Sequence, residues 1–299
     1  MIWVIGCKGM LGTELAFFLE KSGLPFTGTG REIDITDQNA LMNFCKYKSF
    51  NWIINCAAYT AVDKAEVETD LCRLINTYGS GNIAVCAKEI NARLIHISTD
   101  YVFDGMGSFG NEEFRPYRED DQTNPVSIYG LSKRDGENIV LENNPASYII
   151  RTSWLYGKYG VNFVRTLQRL MDEQRVIRVI NDKYGCPTWS FDLAFTIAEF
   201  IKQTDSGRTI PYGIYHYSNE GGISWFDLAS EIYLQSRALG ILENDCNVLP
   251  CTSAEYPQRA RRPVYSVLNK SKVKKTLGIE IPIWNNSLKN YLKTVDAVQ

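Results

Sequence analysis

Tyr129 and Lys133 stand four residues apart in the run Ile128-Tyr129-Gly130-Leu131-Ser132-Lys133. On a helix that spacing puts a phenol and an ammonium on one face, where both can address the same bound molecule. A free phenol has a pKa of about 10, and a nearby cation stabilises phenolate, bringing tyrosine closer to a working acid or base. Upstream, Ser98-Thr99-Asp100 closes the apolar run Leu94-Ile95-His96-Ile97, so hydroxyls and a carboxylate stand at a strand end. Gly6, Gly9 and Gly12 form G-x-x-G-x-x-G directly after the first apolar run. Glycine there permits a tight turn and a close backbone approach to a pyrophosphate, and the following helix N-terminus favours anions. Each signal is weak alone, but in this order they are specific together.

Positioning such groups takes a parallel sheet with crossover helices, since ligands of open α/β sheets bind outside the carboxyl ends of the strands. Compact apolar runs predict strands at Ile2–Ile5, Pro25–Thr29, Trp52–Cys56, Leu94–Ser98, Tyr148–Arg151 and Val176–Ile180. They lack strict alternation, as strands covered on both faces do. Helical patterns fall at Leu11–Glu20, Gln38–Tyr47, Asp70–Glu89 and Tyr129–Glu142, with Thr36 or Asp37 as a cap for the second and Gly23 closing the first. Later helices are expected at Ser190–Lys202, Ser224–Gln235 and Trp284–Lys293. The fold class is therefore α/β, a doubly wound parallel sheet over roughly the first 180 residues with a smaller C-terminal lobe. Residues 1–160 form the dinucleotide-type domain, segments around 176–205 return to it, and 161–299 make mainly the substrate-binding lobe.

Composition narrows the function classes. With 32 basic and 34 acidic residues the net charge is −2, which argues against a nucleic-acid binder or a polybasic membrane protein. No apolar run approaches the roughly 20 residues that span a bilayer, and the start MIWVIGCKGMLG lacks a signal peptide's basic flank. A cytoplasmic protein is expected. The eight cysteines are scattered with no C-x-x-C pair, so no disulfide framework is expected. Two histidines, His96 and His216, are too few for a zinc site or a histidine-based triad, and His96 reads as a core residue of its strand. Arg259, Arg261 and Arg262 fall within nine residues, Glu255–Pro263, either as a solvated run or facing a phosphorylated ligand.

These stretches taken together resemble the dTDP-4-dehydrorhamnose reductase family of extended short-chain dehydrogenases/reductases. The resemblance runs through REIDITD (Arg31–Asp37), NCAAYTAVDKAE (Asn55–Glu66), STDYVFDG (Ser98–Gly105) and NPVSIYGLSK (Asn124–Lys133). It continues in RTSWLYG (Arg151–Gly157), VINDKYGCPT (Val179–Thr188) and RRP (Arg261–Pro263). It implies a catalytic trio of Thr99, Tyr129 and Lys133, with Tyr129 the proton donor. Gly9, Met10, Leu11, Arg31, Asp34, Ile35, Ala57, Ala58 and Tyr59 would line the dinucleotide with Gly6, Gly12, Tyr129 and Lys133. Thr99, Asp100, Trp154 and Arg262 would face a dTDP-sugar. From its residue type alone Trp154 could equally be core, and Asp34 a helix-entry residue.

The activity implied is reduction of the 4-keto group of a dTDP-6-deoxy-hexulose to dTDP-L-rhamnose, with NADPH as cofactor and NADH possible. Two alternatives are another sugar-nucleotide reductase or epimerase, and a non-catalytic regulatory subunit like that of methionine adenosyltransferase. Two departures matter. Related 4,6-dehydratases carry a glutamate directly after the Thr-Asp pair, where this chain has Tyr101. Some family members dimerise around magnesium held by three glutamates per subunit; Glu14 matches one, while the others align with Phe191 and Asn285. No metal site is expected, the chain being a monomer or a metal-independent homodimer, with Glu14 a solvated helix-start residue.

Overall fold

The run Ile2–Ile5 is buried along its whole length. Only a strand covered on both faces can be so. It lies within a six-stranded, all-parallel sheet in the computed structural model, which describes residues 1–107, 115–256 and 258–296. Pro257, within the arginine-bearing segment, lies outside the described residues. The strand order is Gly213–His216, Ser147–Thr152, Arg93–Thr99, Trp52–Asn55, Ile2–Ile5 and Phe26–Thr29. The first strand has the second on one side and the third on the other, so the order reverses there and opens a crevice at the carboxyl ends.

Strand alternation divides the core. Ile2, Val4, Ile54, Ile95 and Ile150 pack with Leu15 and Leu19 of helix Met10–Lys21 and with Ile197 and Phe200 of helix Ser190–Asp205. On the opposite face Trp3, Ile5, Ile53 and Ile149 meet Leu41 of helix Gln38–Cys45 and Ile83 of helix Ser80–Glu89. Asp37, not Thr36, caps the second helix by accepting from the amides of Asn39 and Ala40. Gly23 follows the first helix at φ +65° and donates its N–H to the Glu20 carbonyl.

Four expectations need correction. Val176–Ile180 is not part of the main sheet; it pairs with Asn247–Cys251 in a separate two-stranded parallel ladder. Its burial alternates, with Val176 and Arg178 exposed, whereas a strand covered on both faces is buried along its whole length. The sixth strand is instead Gly213–His216, so residues well past 180 complete the sheet. Segment 176–205 divides accordingly: its first strand joins the lobe, and helix Ser190–Asp205 packs on the sheet. Asp70–Glu89 is not one regular helix, because a π-helical turn at Leu74–Gly79 separates Thr69–Arg73 from Ser80–Glu89.

The smaller lobe gathers helices Phe163–Glu173, Trp225–Ala238 and Trp284–Asp296 around the separate ladder. The first of these, and helix Ser271–Leu277 on the sheet side, carry no counterpart among the expected elements.

Candidate active site

The glycine loop is built for close approach. Gly6 has φ +77°, and a Cβ there would lie 2.8 Å from the Ala57 amide nitrogen. At Gly12 a Cβ would come within 2.2 Å of the Gly6 carbonyl. Gly9 caps the helix with no side-chain bond and no acidic residue follows in the first turn, so the N–H groups of the Met10–Leu11 end face outward uncompensated. Across the crevice Asn76 clamps the Tyr59 backbone, accepting from its N–H at 2.8 Å and donating to its carbonyl at 3.0 Å. That fixes Ala57, Ala58 and Tyr59 beside the loop, while the Tyr59 hydroxyl donates to Glu68 at 2.6 Å. The π turn places Asn76 there, a feature that helical periodicity does not display.

At the end of the second strand Arg31 is exposed. Glu32 is engaged by the Gly30 N–H at 2.7 Å and by Lys8 at 3.3 Å. Asp34 accepts from the Thr36 amide and hydroxyl at 2.9 and 2.8 Å, and Ile35 is buried. The residues fit a dinucleotide: a glycine cradle that any Cβ would fill, an open helix end and a cation at the rim.

Thr99, Asp100 and Tyr129 converge at the carboxyl end of strand Arg93–Thr99. Helix Ile128–Asn143 starts at a Ser127 cap and carries Tyr129 in its first turn. It sits close because Gly130 faces the Tyr101 carbonyl, where a Cβ would stand at 2.2 Å. Farther along, Glu137 binds Arg151 of the neighbouring strand at 2.7 Å, both side chains being nearly fully buried. The Thr99 hydroxyl donates to Asp100 Oδ1 at 3.1 Å and lies beside the Tyr129 phenol. Burial pushes the Tyr129 phenol up, and Thr99 opposes that rise. Burial also pushes the Asp100 carboxyl up to about 6, and its buried Oδ2 has no hydrogen-bond partner among the described residues. Lys133 is turned inward, donating to the Ile97 carbonyl at 2.7 Å, and burial brings its ammonium down to about 8. The phenol thus holds its proton, a state suited to donating.

Beside this trio opens a cavity of about 910 Å³ between the two lobes. One wall is cationic (Arg178, Lys183, Arg259, Arg262) and another apolar (Phe163, Leu167, Ile177, Trp225). Arg262 ion-pairs with Asp63 at 2.6 Å and lines the same cavity as Tyr101. Tyr101 in turn meets Tyr129 edge to face at 5.5 Å. Trp154 stacks on the cavity-lining Trp225 at 3.6 Å and has φ +46°, a costly conformation for a bulky residue. Its indole rests where a Gly185 Cβ would be, 2.5 Å away. The sequence pattern had no signal for Asp63 or Asn76, whose partners lie 199 and 17 positions away.

Glu14 is not solvated: it is 5% exposed, and burial pushes its carboxyl up. Phe191 stacks on Trp189 at 4.7 Å and packs against Phe18 at 4.5 Å. These three positions do not fit a magnesium centre, since a ring offers no oxygen to a hard cation.

Known proteins align with the whole of this arrangement. The RmlD substrate binding domain family matches residues 1–297. The dTDP-4-dehydrorhamnose reductase of Aggregatibacter actinomycetemcomitans is 38% identical over 293 residues, covering 96% of each chain. The crystal structure of a dTDP-4-dehydrorhamnose reductase from Clostridium acetobutylicum is 39% identical, with a TM-score of 0.89 and 99% of each chain covered. That of the Bacillus anthracis reductase in complex with NADP is 36% identical, with a TM-score of 0.88 and 98% of each chain covered. The glycine cradle, the Thr99–Tyr129–Lys133 cluster and these end-to-end matches lead to one conclusion: the chain belongs to the dTDP-4-dehydrorhamnose reductase family.

Proposed function

We infer that the chain is an NAD(P)H-dependent dTDP-4-dehydrorhamnose reductase, forming dTDP-L-rhamnose by reduction at carbon 4. The observation that carries this is the Thr99 hydroxyl beside the Tyr129 phenol, whose ring meets Tyr101 on the wall of a cation-lined cavity. Bound nicotinamide supplies the hydride. Tyr129 gives its proton to the developing alkoxide, and Thr99 holds the oxygen in place. The unpartnered Oδ2 of Asp100 accepts from a sugar hydroxyl. Arg262 and its neighbouring cations hold the diphosphate, and Trp154 backs the sugar from its stacked position on Trp225.

NADPH is the preferred cofactor: exposed Arg31 is available for a 2′-phosphate, while the Glu32 carboxylate is occupied by Gly30 and Lys8. No helix among the described residues is long and apolar enough to cross a membrane. A cytoplasmic setting agrees with the eight free thiols, two of which, Cys45 and Cys86, touch at 3.3 Å.

The test supplies the epimerised dTDP-4-keto-6-deoxy sugar with NADPH and follows nicotinamide absorbance and product sugar. Consumption with formation of dTDP-L-rhamnose is expected, and Tyr129→Phe should cut turnover by roughly 10² or more. dTDP-glucose alone should stay unchanged, because Tyr101 replaces the dehydratase carboxylate and burial pushes its phenol further up. Tight NADPH binding with no turnover, and capture of a stable protein partner, would overturn the assignment.

A further inference from the structure

Asn55, His96 and Lys133 form a chain of contacts beneath the site whose polarity can be read from one end. The Ala57 N–H can only donate, so the Asn55 atom 3.0 Å from it is Oδ1. The other end of that amide, Nδ2, must then donate to His96 Nδ1, also 3.0 Å away. His96 is fully buried, and burial holds its imidazole neutral. A neutral ring that accepts at Nδ1 carries its proton on Nε2. That Nε2–H faces Lys133 Nζ at 3.4 Å. Towards an ammonium this is a donor facing a donor; towards an amine it is a hydrogen bond to the nitrogen lone pair.

We propose that His96, held as the Nε2–H tautomer by Asn55, is a positioning residue that makes Lys133 an exchangeable proton carrier instead of a permanent charge. The proposal rests on Tyr129 as the acid of the reduction. After Tyr129 has passed its proton to the substrate alkoxide, the Lys133 ammonium releases one into the site, from which the phenolate recovers its own. The resulting amine keeps its bond to the Ile97 carbonyl and accepts from His96 Nε2–H until solvent returns a proton. The other titratable groups around Lys133 are Glu137 on its own helix, Cys72 and Cys56, each of which favours the charged form. Burial and the His96 N–H act against them.

His216 provides an internal control. Its Nδ1 lies 3.1 Å from the Tyr117 carbonyl and its Nε2 faces Arg151 at 3.4 Å, so it carries the opposite proton, on Nδ1. With only two histidines in the chain, ring-nitrogen NMR of the labelled wild-type protein separates them, assigned by a His216 variant. The expected spectrum shows one ring protonated at Nε2, His96, and one at Nδ1, His216. A His96 ring protonated at Nδ1 overturns the proposal whether or not the protein reduces any sugar, so its failure is distinct from failure of the reductase assignment. The second measurement uses Asn55→Asp, whose carboxylate still accepts from Ala57 but requires His96 to donate from Nδ1. Nε2 then accepts from Lys133, and the basic limb of the kcat/KM profile should move up by about one pH unit. A folded, cofactor-binding Asn55→Asp protein with an unmoved limb also overturns it.

Discussion

The Arg262 guanidinium grips the Asp63 carboxylate with both terminal nitrogens, at 2.6 Å and 3.1 Å. Asp63 also accepts from the Ala260 amide at 3.0 Å, so one carboxylate fastens the C-terminal arginine segment to the rim of the sheet. Arg262 holds that carboxyl below its usual range. Asp63 is nevertheless about half exposed, and such a pair contributes only about 0–1 kcal/mol to folding. Its use is geometric: it holds the guanidinium at the cavity wall that Tyr101 also lines.

Arg262→Ala should therefore leave the melting temperature nearly unchanged and raise KM for the sugar nucleotide by about tenfold to a hundredfold, the worth of a charged hydrogen bond. Asp63→Asn should do less, because the cation remains. Steady-state kinetics beside thermal melts decide between this and a purely structural pair, which would lower stability and leave KM alone.

How much of this was legible in the sequence follows from the range of each interaction. The glycine loop, the strand-end Thr99 and the Tyr129–Lys133 spacing are local: the first two stand at carboxyl ends of sheet strands, and Lys133 donates to the Ile97 carbonyl of the second of these strands. Val176–Ile180 misled because a short apolar run looks alike in a central sheet and in a two-stranded ladder; only the exposed Arg178 distinguishes them. Gly213–His216 is four residues long and begins with glycine, too little pattern to announce the edge of a sheet. Glu14 looked solvated by residue type, yet the fold buries it, with Lys158 brought nearby from 144 positions away.

Asp100 should make stability fall as pH rises. Burial places its folded-state value near 6 against an ordinary 3.8, so between those values the native state binds more protons than the unfolded chain. Unfolding free energy then declines across that window, by about 3 kcal/mol in total, and stays lower above it. Asp100→Asn should remove that slope and be more stable than the wild type near neutral pH, while losing affinity for the sugar. Urea midpoints of both proteins at about pH 4 and pH 7 test it; equal slopes would mean the carboxyl is not held protonated.

Arg31→Ala should shift cofactor preference toward NADH. The exposed guanidinium can take a 2′-phosphate through two parallel bonds, whereas Glu32 is already bonded by the Gly30 N–H. Removing the cation should cost NADPH roughly tenfold or more in kcat/KM and leave NADH almost untouched. An unchanged preference ratio would take Arg31 out of the role.

Assembly should be indifferent to chelators. A magnesium centre of three carboxylates per subunit would need oxygen ligands at 14, 191 and 285. Position 191 presents a phenyl ring packed between Trp189 and Phe18, and position 285 a neutral amide. The remaining carboxyl, Glu14, is buried, and one carboxyl per subunit cannot supply the oxygen set that a hard cation needs. Sedimentation and turnover measured with and without EDTA should coincide, and added magnesium should change neither. A dimer that dissociates on chelation, and reforms with magnesium, would show that other side chains hold a metal between subunits.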